Sequence, residues 1–122
     1  GSFAMGLLEA AALGHGDGLG VLLVAFDVLP SPLLRPFRPM HSAGSVALVL
    51  DRAPQGALAA LSLELVEEAE TRLDDPALEA LRAGNPALRA LPLLRAAARG
   101  EGARVVLPHQ PGCSVAVTVV PP

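Results

Sequence analysis

Apolar residues fall along this chain in short blocks cut by glycine and proline. Gly6 to Leu13 (GLLEAAAL) reads as a helix, and the glycines of Gly14 to Gly20 are expected to stop it. Val21 to Phe26 (VLLVAF) is a continuous apolar run with β-branched residues, which predicts a strand buried on both faces. Leu29 to Met40 holds Pro30, Pro32, Pro36 and Pro39 and predicts an irregular connector. Ser45 to Leu50 is a second strand. Leu58 to Val66 is a third, with Leu61, Leu63 and Leu65 alternating against Ser62 and Glu64 as on a half-exposed edge strand. Helix competes there, because Ala, Leu and Glu all favour it.

Asp75-Pro76 has the form of a helix start, with Asp as N-cap and Pro in the first turn, and Gly84 closes that helix. Asn85-Pro86 repeats the device. The helix after it carries Leu88, Leu91 and Leu94, and Pro92 should kink or split it before Gly100 and Gly102. Arg104 to Leu107 and Ser114 to Val120 read as strands joined by a loop over Pro108 to Cys113. The order of helix, strands, helices and hairpin implies an α/β or α+β domain. Gly1 to Met5 (GSFAM) reads as the remnant of a tag, leaving 6–122 as a single domain.

Over half of the 122 residues are apolar, enough for a packed core, but there are three Phe and no Tyr or Trp. Leu, Val and Ala must build that core. All basic residues other than His are Arg. The net charge of −3 and the lack of aromatic platforms argue against nucleic acid. Cys113 stands alone, so no internal disulfide is available, in keeping with a reducing, cytoplasmic setting. No apolar run approaches the roughly 20 residues of a membrane span, and no signal-peptide pattern is visible.

The candidate chemistry is sparse. Cys113 with His109 four residues before it could form a nucleophile and base. No third group accompanies them, and a small residue at a strand start is the simpler reading. His15, His41 and His109 are spread over three loops without ligand spacing, so no metal site is expected. Glu67, Glu68, Glu70, Asp74 and Asp75 form an acidic run that reads as a solvated turn. The glycines of Gly14 to Gly20 precede a strand, whereas a phosphate-cradling loop follows one, so no nucleotide cofactor is expected. The connector prolines could offer a polyproline ligand to an aromatic groove, but they read first as an ordered crossing.

Arg35-Pro36-Phe37 followed by Gly44-Ser45-Val46-Ala47-Leu48-Val49-Leu50-Asp51 resembles a segment of the β-ketoacyl synthases. There an Arg-Pro-Phe-Asp turn leads through glycines to a Gly-x-x-x-Leu-Val-Leu-Glu strand. The preceding Gly6 to Leu13, Gly16-Asp17 and Val21 to Asp27 stand where that family has a helix, a turn and an apolar strand. Asn85-Pro86-Ala87-Leu88 and Arg104 to Pro108 extend the likeness toward small, truncated, chain-length-factor-like proteins of fatty-acid, polyketide and aryl polyene pathways. The resemblance implies a partial thiolase-like layer with a mixed sheet and packed helices. It departs from the family at Arg38, where an acid is usual, and in the shortened stretch His41 to Gly44. The positions of the nucleophilic cysteine and the active-site histidines have no counterpart, so no catalytic residue carries over.

The resemblance therefore implies a non-catalytic partner subunit that joins a catalytic ketosynthase, and also an acyl carrier protein, in a homo- or hetero-oligomer. Two other readings stand beside it: a fragment of an active acyl-condensing enzyme, and a small structural domain whose likeness is fortuitous.

Overall fold

The computed structural model describes residues 2–17, 20–27, 32–33, 43–51 and 56–122. The chain runs α1 (Ser2–Asp17), β1 (Val21–Asp27), β2 (Gly44–Leu50), β3 (Ala60–Val66), α2 (Pro76–Gly84), a 3₁₀ segment (Pro86–Ala90), α3 (Leu91–Arg99), β4 (Ala103–Gln110) and β5 (Cys113–Val120). Helices and strands contribute alike, as expected for an α+β class. The strands form two separate sheets, β1-β2 and β3-β5-β4. Every pairing is antiparallel, so the mixed sheet implied by the resemblance is replaced by two antiparallel ones.

Local signals explain much of this. The Asp75 carboxylate accepts from the N–H groups of Ala77 (2.9 Å) and Leu78 (3.1 Å), and Pro76 opens α2. The Asn85 side chain, fully buried, accepts from Ala87 N–H at 2.8 Å and starts the 3₁₀ segment. Pro92 lies in the first turn of α3, where a missing N–H removes no helical bond, so the leucine-bearing helix is split there. Gly100, at φ 63°, ends α3: its N–H reaches Ala97 O and that of Glu101 reaches Ala96 O, a Schellman-type close.

Other elements depart from expectation. Helix α1 spans Ser2–Asp17 rather than Gly6 to Leu13. At its start, Phe3, Ala4 and Leu7 are core residues, so the segment read as a tag remnant packs into the fold. At its end Gly14 and Gly16 stay helical, since glycine weakens a helix by about 1 kcal/mol without forbidding it. Strand β1 is buried on one face alone, because its two-stranded sheet packs against α1 and the 3₁₀ segment from one side. The final hairpin is tighter than the loop foreseen over Pro108 to Cys113: β4 runs to Gln110, and Gly112 takes the turn at φ 73°. The edge-strand reading of the third strand holds, with β3 outermost in its sheet.

The core lies between the two sheets. Val115, Val117 and Val119 on β5 meet Val105 and Leu107 on β4, Leu93 and Ala96 on α3, Phe3 and Leu7 on α1, and Ala25 and Val46 from the small sheet. Ala87 and Ala90 of the 3₁₀ segment are fully buried, and that segment contacts β1 and β2 on one side and β4 on the other. This close approach also constrains Gly44, where a Cβ would lie 2.7 Å from Leu88 Cγ. Gly44→Ala is expected to destabilise the fold by about 1 kcal/mol through this overpacking, read as a lower urea midpoint with an unchanged slope. An unchanged midpoint would show that Leu88 gives way freely.

Candidate functional site

The densest polar arrangement is built from the segment between β3 and α2. Glu70, in that segment, meets the guanidinium of Arg82 on α2 (3.2 Å) and that of Arg89 in the 3₁₀ segment (2.7 Å). Arg82 is 3% exposed, and its Nε and Nη2 donate to the two oxygens of Glu79, each at 2.7 Å. Glu79 Oε1 also accepts the N–H of Leu73 at 2.8 Å. The Arg82 fork and then the Leu73 N–H hold the Glu79 carboxyl at about 2, far below its usual 4.5. Two arginines thus face two carboxylates, a neutral set that fixes the segment to α2 and the 3₁₀ segment.

The same segment is tied to the large sheet. Thr71 N–H donates to Val106 O (2.9 Å), and Thr71 Oγ1 accepts from Val106 N–H (2.8 Å). Ser114 Oγ donates to Glu68 O at 3.0 Å. Glu68 takes two hydrogen bonds from Arg104, which keep its carboxyl below the ordinary range. The acidic run is therefore not merely a solvated turn: Glu68 and Glu70 hold ion pairs and Asp75 caps α2, while Glu67 and Asp74 remain at the surface.

Beside Arg89 lies a partly open cleft of about 200 Å³, lined by Phe3, Ala4, Pro86, Leu107 and Pro108. Ligand sites commonly enclose roughly 300–1,000 Å³. This cleft suits a short aliphatic group and one polar contact rather than a whole substrate.

The residues considered for chemistry do not gather there. Cys113 is half-buried at the start of β5, opposite Gln110, and His109 is the residue that the register skips between Pro108 and Gln110. His41 and the side chain of His15 lie outside the described residues, as do Arg35-Pro36-Phe37 and all of the connector but Pro32 and Leu33. Among the described residues no group of three His, Cys, Asp or Glu is placed to hold a metal ion, and no helix is long and apolar enough to cross a membrane.

No family model matches the chain, and no curated protein or solved structure matches it significantly. Its own surface must carry the functional argument. One feature missed by the sequence reading is the outer face of the β1-β2 pair. There Leu22 stands opposite Val49, Val24 opposite Ala47 and Phe26 opposite Ser45. Phe26 is 68% exposed, Val49 79% and Leu22 66%, and the strand residues on this face are all uncharged, with Asp51 exposed just past the end of β2. A run apolar at every position hides which side is out, so only the pairing reveals this face.

The ion-pair set has a measurable pH signature. Glu79 is depressed in the folded chain, so the stability it contributes is complete above about pH 4.5 and is lost as pH falls toward 2. Urea midpoints of the native chain should fall through that window, and Glu79→Gln should flatten the fall. Parallel curves would remove Glu79 from the account. Arg82→Met, which takes the guanidinium from Glu79 and leaves Glu70 with Arg89 alone, is expected to lose about 2 kcal/mol, less than for a wholly buried pair because the carboxylates reach solvent.

Proposed function

We propose that this chain is a non-catalytic, β-ketoacyl-synthase-like partner subunit that docks on a catalytic ketosynthase through the outer face of β1-β2. The observation that carries this is the uncharged apolar face of Leu22, Val24, Phe26, Ala47 and Val49, left uncovered among the described residues. Its side chains amount to a patch on the order of 400 Å², at the size where exposed apolar surface marks an interaction site. Exposing one of three phenylalanines is costly for a core otherwise built from Leu, Val and Ala, unless a partner covers it.

Two further points support the reading. Several residues behind the resemblance pack as one unit: α1 lies on β1, and the Gly44 that opens β2 accommodates Leu88 of Asn85-Pro86-Ala87-Leu88. The cleft beside Phe3 is mostly apolar but small, which suits a subunit that contributes one wall of an acyl-chain pocket and leaves the rest to its partner. Acyl transfer needs an activated nucleophile, and the resemblance carries over neither the family's nucleophilic cysteine nor its active-site histidines, so the role we assign to this chain is to shape and position. The proposed setting is the cytoplasm, where acyl carrier proteins deliver such chains.

Co-expression with a ketosynthase followed by light scattering tests this. A stable mixed complex is expected, and Phe26→Asp or Val24→Asp should abolish it while circular dichroism stays unchanged. A chain that never joins the ketosynthase, or a complex indifferent to both substitutions, would overturn the proposal.

A further inference from the structure

The two edges of the β3-β5-β4 sheet are treated differently. On β4 the N–H and C=O of Val106 both bond to Thr71, so they point away from β5. In an antiparallel ladder, backbone groups alternate sides from residue to residue. Pro108 shares the outward phase of Val106 and has no N–H to offer, so this edge is closed by a strap and a proline.

The same phase runs across the sheet. Ala116 lies opposite Val106, so its backbone groups face β3, where Glu64 is its partner. Leu61, Leu63 and Leu65 therefore direct their N–H and C=O groups to the open side of β3. No backbone bond from a described residue reaches them there. Leu65 is 61% exposed beside them. An open edge of this kind is a template for another strand.

We infer that β3 pairs antiparallel with β3 of a second copy of this chain, joining two three-stranded sheets into one of six strands. The register follows from the edge itself. A twofold axis through Leu63 sets Leu63 against Leu63, Leu61 against Leu65 and Ala60 against Val66 of the partner copy. These leucine pairs are the ones whose backbone groups face the open side, and all seven residues of β3 find a partner. The charges also fit: Glu64 falls opposite Ser62, whereas shifting the axis by one residue to Glu64 would oppose two carboxylates. Leu61, Leu63 and Leu65 of both copies then share one face, continuous with the core face of each sheet. One strand pair is a small interface, so the dimer is weak and concentration-dependent. This inference uses neither the β1-β2 face nor the ketosynthase-like reading, and it can fail without them.

Analytical ultracentrifugation of the full chain over a dilution series tests it, with Ser62→Glu, Ser62→Lys and Leu63→Pro alongside. Ser62 is exposed in the single chain, so both charge substitutions should leave its fold intact. Ser62→Glu places two like-charge pairs across the axis and should raise the dissociation constant roughly tenfold, while Ser62→Lys should lower it. Leu63→Pro removes an N–H used only in the dimer and should give a folded monomer. A native chain that stays monomeric at every concentration, or a dimer that responds equally to both charges at Ser62, would overturn the inference. The first result would leave the edge to a different, extended partner, and the second would move the dimer contact elsewhere.

Discussion

The buried guanidinium of Arg82 is the constraint around which this fold is arranged. A cation 3% exposed is tolerable only where carboxylates and hydrogen bonds replace its water. Glu79 supplies a fork from the same helix, three residues away, and costs the chain little to position. Glu70 must come from outside the helix, and in reaching Arg82 it draws the segment after β3 across the molecule. Thr71, one residue on, is thereby set against Val106, so closing the β4 edge follows from neutralising the arginine. Arg89 binds the same Glu70 and holds the 3₁₀ segment, whose Ala87 and Ala90 fill the space between the sheets. One charge requirement thus connects an edge, a helix and the centre of the core.

The sequence made local instructions legible and left long-range ones hidden. Asp75-Pro76, Asn85-Pro86, Pro92 and Gly100 each act on backbone groups within a few residues, and each element begins or ends where they stand. The alternation of Leu61 to Leu65 marked an edge strand because one side is polar. No such contrast exists in Val21 to Phe26, so nothing in its pattern marks one face as exposed. The acidic run hides its ion pairs for a different reason: Glu70 and Arg89 are 19 residues apart and Glu68 and Arg104 are 36 apart. Charges that find partners at such separations look the same in sequence as charges that face water. The length of α1 is not legible because glycine looks like a stop, whereas packing of Phe3 and Leu7 anchors the helix from its other end.

Composition bears on why surfaces remain open. A core of Val, Leu and Ala buries less area per residue than one with aromatic anchors, and small domains already bury a modest share of their surface. Here Phe3 is an aromatic anchor inside, while Phe26 is turned out. Under the two proposals above, further apolar burial comes from contact between molecules. The small sheet offers a face for this and the large sheet offers an edge, and these are different kinds of surface. A face binds through side-chain shape and is tolerant of angle. An edge binds through backbone hydrogen bonds and fixes both direction and register.

That difference decides how the two surfaces can coexist. The β1-β2 pair and the β3-β5-β4 sheet share no strand, so covering one leaves the hydrogen bonding of the other unchanged. Among the described residues they meet through the core, α1 and the 3₁₀ segment, which are closely packed and resist small adjustments. A copy added at β3 lengthens a sheet already braced by Thr71 on its far side, while a partner on Phe26 covers side chains that the fold already holds outward. Neither event requires the Arg82 set to open. Assembly at either proposed surface would therefore be a docking of preformed parts, and the strap that closes the β4 edge would leave the larger sheet a single direction in which to grow.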